Sequence, residues 1–258
     1  MLDVLDVLRV QCPWDAKQTN ESLRPNTIEE TMELCDALIN NSVPDIKKEL
    51  GDVLLHIVFY SRLGQEEGSF DIADVCNRIS DKLIYRHPHV FGDVIAETSE
   101  DVKRNWEMLK TKEKGGNKTV LEGTKGLPTL LKAYRMQDKA RGVGFDWEQK
   151  EQVWTKVEEE LSEYKAEMAA LDKAATPEEQ KAAFEKAEQE CGDFIFSIVN
   201  AARLWGINPD TALERTCEKF RRRFTYLEER TIRQGRDLHD MTLAEMDALW
   251  DEAKAAGL

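Results

Sequence analysis

Carboxylates recur at helical spacing in two separate stretches of this 258-residue chain. Each stretch has the form Glu-Glu-x-x-Glu followed downstream by Glu-x-x-Asp, at residues 29–33 with 49–52 and at residues 159–163 with 190–193. Since residues three apart on a helix share a face, each part of a stretch aims carboxylates in one direction. Two such helices facing each other would place four carboxylates around one point. That arrangement predicts a site for a hard divalent cation, and the chain contains it twice.

The carboxylates form two sets of predicted metal ligands, one in each half of the chain. Asp52 stands before the apolar Val53, and Asp193 before Phe194, so each acidic row borders positions expected in a core. Carboxylates in such a place need cations to offset their desolvation and mutual repulsion. The C-terminal set is our main candidate. The predicted ligands are Glu160, Glu163, Glu190 and Asp193 in the C-terminal set, and Glu30, Glu33, Glu49 and Asp52 in the N-terminal set.

Composition narrows the classes of function and compartment. The net charge of −14 disfavours a long nucleic acid as partner, because phosphate backbones bind basic surfaces, although it does not exclude a single nucleotide. No apolar run reaches the roughly 20 residues that a membrane span needs. The first residues lack the basic flank and apolar stretch of a signal peptide, so we expect a cytoplasmic protein. Five cysteines without close Cys-x-x-Cys spacing disfavour a disulfide framework or a structural zinc site.

Helical patterns that would position the carboxylates fill nearly the whole sequence, and no useful run of alternating strand pattern occurs, which predicts an all-α fold. The residues Thr27-Ile28-Glu29-Glu30 predict a capping box at a helix start, and this gives Glu30 a competing local role. The predicted helices run from Thr27 to about Asn40, from Pro44 onward, from Asp71 to about Arg86, from Ser99 to Lys114, from Leu127 to Gly142, from Gln149 to Asp172, from Pro177 toward Trp205, from Pro209 to Gly235, and onward from Thr242.

A glycine-rich segment divides the two halves. Residues 115–126 have the composition of a linker, which predicts an N-terminal domain of residues 1–114 and a C-terminal domain of residues 127–258. Both halves present their features in the same order. A Trp and Asp motif precedes each acidic stretch, and a Lys with an Arg four residues later follows it, at Lys82 and Arg86 and at Lys219 and Arg223. The order predicts a tandem repeat.

An ordered set of short motifs covers nearly the whole chain. They are Cys-Pro-Trp-Asp at 12–15, the acidic motifs at 29–33 and 49–52, Arg-His-Pro-His-Val-Phe at 86–91, Val-Gly-Phe-Asp-Trp at 143–147 and Lys-Phe-x-x-Arg-Phe at 219–224. In this order they resemble the MazG nucleoside triphosphate pyrophosphohydrolases of bacteria. The resemblance implies tandem all-α helical bundles that pair into a homodimer. It also implies cleavage of NTPs and dNTPs to monophosphate and pyrophosphate with Mg²⁺, for which Mn²⁺ can substitute, and with the C-terminal copy as the main catalyst.

This resemblance suggests roles for the remaining polar and aromatic candidates. Phosphoryl transfer requires mainly positioning and charge stabilisation, which a metal-bound water and cationic side chains can supply. Trp147 and Trp250 could stack on a base or simply pack in the core or an interface. The predicted catalytic residues are Glu159, which would orient the water, and Lys219 and Arg223. The predicted substrate-binding residues are Lys219, Arg222, Arg223, Trp147 and Trp250. In the N-terminal copy, Lys82 and Arg86 are the predicted phosphate contacts.

Three other interpretations compete with this one. A di-iron bundle would use Glu-x-x-His on two helices, and no histidine of this chain has a glutamate three residues before it, so that class is excluded. A non-enzymatic helical scaffold would have solvated acidic faces and no metal requirement. A hydrolase of narrower range, acting on dUTP, dCTP or an alarmone, would use the same acidic frame, because that frame contacts only phosphates. The biological role could be housecleaning of aberrant nucleotides or control of nucleotide pools under stress.

Overall fold

The computed structural model describes residues 1–112, 119–233 and 235–258, apart from the side chains of residues 100, 103, 104, 107, 111 and 112. Every regular element in these residues is helical, so the predicted all-α class is confirmed. The chain divides into two compact units, Met1–Leu109 and Lys110–Leu258. The predicted helix end at Lys114 and residues 115–118 of the predicted linker lie outside the described residues. Across the described part of the chain, no helix combines the length and apolar character that crossing a membrane requires.

The first unit is built around the packing of two long helices. α2 packs along α3, and the core at their base consists of Leu5, Leu23, Val58, Phe59 and Leu63. Because this core joins the start of α2 to the second half of α3, the acidic positions further along the two helices come face to face. The helices are α1 Leu2–Gln11, α2 Asn20–Ile39, α3 Val43–Glu66, α4 Ile72–Arg86, α5 Pro88–Phe91 and α6 Ser99–Lys112, the last of which crosses the boundary between the units.

The start of α2 differs from the sequence prediction. The helix begins at Asn20, where Thr19 and Ser22 form the capping box: each side-chain oxygen accepts a hydrogen bond from the other residue's backbone N–H, at 3.2 and 2.8 Å. The predicted box at Thr27 is wrong, because a cap needs an extended backbone and Thr27 lies inside the helix. Its hydroxyl donates to the carbonyl of Leu23 instead. Glu30 therefore has no capping role that competes with metal binding.

The second unit repeats the pairing of two long helices. α8 packs along α9 over a core of Val153, Val157 and Ala201, and Leu227, Met241 and Leu249 join α10 to α11. The predicted helix start at Pro177 is confirmed, and Thr176 caps it, since its side chain accepts from the backbone N–H of Glu179 at 3.2 Å. The helices of this unit are α7 Thr129–Gly142, α8 Val153–Leu171, α9 Pro177–Leu204, α10 Pro209–Arg233 and α11 Leu243–Ala255.

Candidate functional site

Three of the predicted C-terminal metal ligands converge between α8 and α9. Glu160 comes from α8, and Glu190 and Asp193 lie one turn apart on α9; one carboxylate oxygen from each lies within 4.8 Å of the others. Glu160 is buried, Glu190 is half-buried and Asp193 is exposed, so the cluster opens toward solvent on the Asp193 side. A donor set made only of carboxylate oxygens fits a hard cation such as Mg²⁺ or Mn²⁺ better than a soft one.

The electrostatics of this acidic cluster favour a cation. The pKa of Glu190 is raised, first by burial and then by the negative charges of Glu163, Asp193 and Glu160. The negative charge of Glu163 therefore acts on Glu190, but Glu163 is exposed and does not belong to the close trio. Its role as a fourth ligand stays a prediction. The negative charges around Glu190 would be offset by a divalent ion or another positive charge lying among the carboxylates.

A lysine that sequence reasoning missed already contacts the cluster. The Nζ atom of Lys156 donates to Glu159 at 2.8 Å and lies 2.7 Å from a carboxylate oxygen of Glu160. These contacts, with Glu159 first and Glu160 second, raise the pKa of Lys156 and keep it positively charged. The signal was present in the sequence, because a lysine four residues before a glutamate lies on the same helix face. Lys156 therefore stands where it can neutralise carboxylates or bind an anion.

A cavity of about 640 Å³ adjoins the carboxylates. Lys156, Glu160 and Asp193 belong to its wall, and its volume lies within the range of small-molecule sites. Most of the exposed wall is apolar, which suits a planar ring better than a phosphate chain. The apolar and aromatic residues of the wall are Leu121, Met136, Ala140, Phe145, Trp147 and Phe196. One end of the cavity can thus take charge while the rest takes an aromatic or aliphatic group.

The loop after α7 forms part of this wall and is tied to α9. Gly144 has φ of 89°, a left-handed conformation that favours glycine, and it ends the helix. Two residues later Asp146 accepts hydrogen bonds from both terminal nitrogens of the buried Arg203, at 2.6 and 3.1 Å. Arg203 also donates to the side-chain oxygen of Asn200. This bidentate pair holds the loop, and with it Trp147, against the cavity.

The Asp146–Arg203 pair should be worth a measurable part of the stability of this unit. Arg203→Met is expected to lower the free energy of unfolding by about 2–3 kcal/mol at neutral pH, because Asp146 and Asn200 lose their charged donor. Urea unfolding followed by circular dichroism measures the change. Arg233→Met is the control, since Arg233 pairs with Glu229 on the exposed surface and should change stability by less than about 0.5 kcal/mol. Equal stability of Arg203→Met and the wild type would contradict the structural role.

The same pair should give a pH dependence of known sign. Burial raises the pKa of Asp146, but the hydrogen bonds from Arg203 and the Trp147 backbone, with the charge of Arg203, outweigh it, so the net pKa is lowered. A carboxyl with a lowered folded pKa stabilises the protein above its unfolded pKa, and this contribution is lost as the pH falls through the folded value. The difference between wild type and Arg203→Met should therefore shrink below about pH 4.

The positively charged residues predicted on α10 do not line the described cavity. The Nε atom of Arg223 donates to the carbonyl of Leu258 at 2.6 Å, and its guanidinium lies 5.8 Å from the Trp250 ring. Trp250 also packs on Phe220, with ring centroids 5.0 Å apart. Lys219, Arg222, Arg223 and Trp250 are absent from the described cavity wall and from the described contacts of the carboxylates. Of the predicted substrate-binding residues, Trp147 lies at the cavity, and the roles of all of them stay predictions.

The N-terminal unit contains a counterpart of the acidic cluster. One carboxylate oxygen each from Glu30 on α2 and from Glu49 and Asp52 on α3 lie within 4.8 Å of one another. Glu49 is only 5% exposed, and its Oε2 atom has no hydrogen-bond partner among the described residues. Lys48 contacts this cluster at 2.7 Å from Glu49 and 3.6 Å from Glu33, much as Lys156 contacts its own. Glu33, like Glu163, is left outside the close trio.

The charges around Glu30 repeat the pattern of the C-terminal cluster. Burial raises the pKa of Glu30 first, the negative charges of Asp52, Glu33 and Glu49 raise it further, and only His56 lowers it.

The two predicted phosphate contacts of the N-terminal copy differ in solvent exposure. Lys82 is exposed, whereas Arg86 is buried with its guanidinium 5.3 Å from the centroid of the Trp106 ring. No described contact joins either residue to the N-terminal trio, so their role also stays a prediction.

Known proteins resemble this chain along most of its length. The family model for the MazG nucleotide pyrophosphohydrolase domain matches residues 18–91, which contain the N-terminal trio. A nucleoside triphosphate pyrophosphohydrolase of Escherichia coli K12 is 40% identical over 248 residues, covering 94% of this chain and 90% of that protein. A Thermotoga maritima protein, named nucleoside triphosphate pyrophosphohydrolase/pyrophosphatase MazG, is 39% identical over 258 residues, covering 98% and 94%.

A third relative is a longer protein that resembles this chain over about half of its own length. The uncharacterized protein YabN of Bacillus subtilis is 44% identical over 245 residues, which are 94% of this chain but 48% of that protein. The match to the two pyrophosphohydrolases, by contrast, is nearly end to end on both sides. Identity near 40% over such a length, together with two acidic helix pairs at the predicted positions, decides the assignment. This chain belongs to the MazG family of nucleotide pyrophosphohydrolases.

Proposed function

We propose that this protein hydrolyses nucleoside triphosphates, NTPs or dNTPs, to the nucleoside monophosphate and pyrophosphate. The observation that carries the proposal is the carboxylate trio of Glu160, Glu190 and Asp193 beside a largely apolar cavity of about 640 Å³. A triphosphate has the two properties that this site would match, a charged chain that binds metal and a flat base that prefers an apolar wall. The relatives named as nucleoside triphosphate pyrophosphohydrolases support the same reaction.

Each part of the site has a proposed task. Glu160, Glu190 and Asp193 would hold Mg²⁺, or Mn²⁺ in its place, with Glu163 as the outer carboxylate. The bound ion would polarise phosphate oxygens and lower the pKa of a coordinated water. Lys156 would donate to phosphate oxygens, and Glu159, which shares the hydrogen bonds of Lys156, would orient the attacking water. The apolar wall and Trp147 would hold the base and limit the access of bulk water.

The N-terminal trio is a second proposed metal site. Its buried Glu49 has a carboxylate oxygen without a partner among the described residues, which a cation would satisfy. Glu33 would be the outer carboxylate of this site, with Lys82 and Arg86 as its phosphate contacts. We rank this copy below the C-terminal one for catalysis, although the family model matches the N-terminal residues.

A homodimer is the proposed assembly. Large apolar side chains stay exposed beside the acidic positions in both units, with Leu50 and Leu54 on α3 and Ile195 and Ile198 on α9 each more than 40% exposed. Large apolar side chains exposed one turn apart on the same helix support an interaction surface. Light scattering of the purified protein tests the proposal, and the mass of a single chain would rule it out.

Product identification tests the reaction itself. Purified protein is incubated with each NTP and dNTP, with Mg²⁺ or with EDTA, and the products are separated by ion chromatography. We expect monophosphate and pyrophosphate with Mg²⁺, and no turnover with EDTA. Diphosphate with orthophosphate would mean that another bond is cleaved. Cleavage of dCTP alone would mean a narrower substrate range, and nucleotides that all stay unchanged would favour a substrate outside this set, such as dUTP or an alarmone, or a scaffold without activity.

A further inference from the structure

A half-buried amide in the cavity wall has a donor group that no described residue accepts. Asn200 on α9 belongs to the wall, and its Oδ1 atom accepts hydrogen bonds from the Nε and Nη2 atoms of Arg203, at 3.0 and 2.8 Å. An arginine side chain has donors only, so the atom that faces it must be the amide oxygen. The Nδ2 atom makes no hydrogen bond to a described residue and is absent from the described atoms that are both buried and unpartnered. It is therefore an accessible donor.

Asn200 lies on the face of α9 that bears Asp193. It follows Asp193 by seven residues, which is close to two helical turns, so the two side chains share one face. Phe196, Ser197 and Arg203 of the same helix also belong to the cavity wall, so this part of α9 borders the cavity along its length. Seven residues correspond to about 10.5 Å along the helix axis. The amide therefore lies beside the apolar part of the cavity rather than beside the carboxylate trio.

The first unit has an apolar side chain at the equivalent position. Seven residues after Asp52, the counterpart of Asp193, comes Phe59 on α3. Phe59 is 3% exposed and packs in the core of that unit. The two copies thus differ here, with a core phenylalanine in one and a cavity-lining amide in the other. Core packing alone does not explain the amide.

Other polar donors of the described wall have partners inside the protein. The Ser197 hydroxyl donates to the carbonyl of Phe194, and the amide nitrogen of Gln137 donates to the carbonyl of Phe196, each at 2.8 Å. Lys156 is paired with carboxylates. The amide nitrogen on α9, by contrast, is available to donate to a bound molecule. Such a donor in a largely apolar wall would fix the orientation of a ligand that brings an acceptor.

We propose that Asn200 is a specificity-determining residue whose Nδ2 atom donates a hydrogen bond to a carbonyl oxygen on the base of the nucleotide. This inference rests on the proposed function, because it assumes that the cavity takes the base of the substrate. Arg203 holds the amide oxygen, so the donor is oriented before a ligand binds. Carbonyl oxygens project from the ring of a base and so reach a wall residue more readily than ring nitrogens do. A base with a weaker acceptor there would be hydrolysed more slowly.

The test compares natural nucleotides with analogues in which sulfur replaces a carbonyl oxygen of the base. A thiocarbonyl sulfur accepts hydrogen bonds poorly but keeps the shape of the ring. kcat/KM is measured for GTP against 6-thio-GTP, for UTP against 2-thio-UTP and 4-thio-UTP, and for CTP against 2-thio-CTP. For the carbonyl that Asn200 contacts, we expect the wild type to favour the natural nucleotide by about 5- to 20-fold. Equal values within all four pairs, with hydrolysis intact, would overturn the proposal and leave the proposed function standing.

The variant Asn200→Asp should remove this discrimination. Aspartate keeps an oxygen for Arg203 but replaces the donor by an acceptor, so the ratio within the affected pair should fall to less than about twofold. A role confined to holding Arg203 would keep the ratio of the wild type, which would also overturn the proposal. Asn208→Asp is the matched control, because the Asn208 side-chain oxygen accepts from the backbone N–H of Thr211, yet the residue is absent from the described cavity wall. Its ratio should equal that of the wild type.

Three further outcomes separate the alternatives. If Asn200→Asp removes discrimination between GTP and 7-deaza-GTP rather than within the sulfur pairs, the amide contacts a ring nitrogen and the carbonyl assignment is wrong. If it changes only the ratio of GTP to dGTP, the amide contacts the sugar and the base assignment is wrong. If the wild-type protein cleaves no nucleotide, the proposed function fails and this inference fails with it.

A second variant keeps the test decisive if Asn200→Asp does not fold. Asn200→Leu also lacks the donor, and it leaves the hydrogen bonds between Asp146 and Arg203 in place. We expect the same fall of the ratio to less than about twofold. Circular dichroism and a melting curve show which variant is folded. A folded variant of either kind that keeps the wild-type ratio would overturn the proposal.

Discussion

Replacing Asp193 by asparagine is expected to lower kcat/KM for nucleoside triphosphate hydrolysis by about 100- to 1,000-fold. Asparagine keeps the shape of the side chain but removes one of the charges that would hold Mg²⁺ beside Glu160 and Glu190. The fold should survive, because the charge of Asp193 is one of those that raise the pKa of Glu190 and is repulsive without metal. Steady-state kinetics at saturating Mg²⁺ measure the loss. Melting curves should show that Mg²⁺ stabilises the wild type much more than the variant.

The equivalent change in the N-terminal trio provides the matched comparison. Asp52→Asn removes the same charge from a cluster of the same composition, and we expect a milder loss of turnover than for Asp193→Asn. The comparison is informative because the family model matches residues 18–91 and so recognises the N-terminal copy. Normal activity of a folded Asp193→Asn variant would refute the C-terminal assignment. Complete inactivation of a folded Asp52→Asn variant would reverse our ranking of the two copies.

Replacing Lys156 by methionine is expected to have opposite effects on turnover and on metal affinity. Turnover should fall by about 10- to 100-fold, because the phosphates lose a charged hydrogen-bond donor. Affinity for Mg²⁺ without nucleotide should rise, since Lys156 lies 2.7 Å from the Glu160 carboxylate and competes with a cation for it. Steady-state kinetics and calorimetric titration with Mg²⁺ measure the two effects. A structural role alone would not produce opposite signs.

Two lysine variants serve as controls for Lys156. Lys181→Met removes an exposed charge 4.0 Å from Glu185 on the same unit and should leave both quantities unchanged. Lys48→Met removes the lysine that contacts Glu49 in the N-terminal trio. It should increase Mg²⁺ binding without the same loss of turnover if the C-terminal copy is the catalyst. Unchanged turnover of Lys156→Met would mean that Lys156 only neutralises the carboxylates.

Local pattern was enough to predict most of the helices and most of their ends, although α1 and α5 were not among the predicted helices. The helix starts predicted at Pro177 and Thr242 agree with the structure, where Thr176 and Thr242 are the caps, because a capping box is formed by residues three apart and needs no tertiary contact. The same kind of pattern failed at Thr27, where Thr19 and Ser22 form the actual cap and Pro25 is included in the helix. A cap motif states which residues could begin a helix, but packing of the preceding turn decides which one does.

The sequence by itself determined the all-α class, the family and the helix faces that bear the carboxylates, because the spacing of residues along one helix fixes the face they share. Only the tertiary structure decided which of those carboxylates meet. Glu160 joins Glu190 and Asp193, while Glu163 stays at the margin, because the depth of a residue between two helices depends on how their apolar cores pack. The contacts of Gln137 with Phe196 and of Asp146 with Arg203 join residues 59 and 57 positions apart. No local pattern encodes such pairs, since each depends on the packing of helices that are distant in the chain.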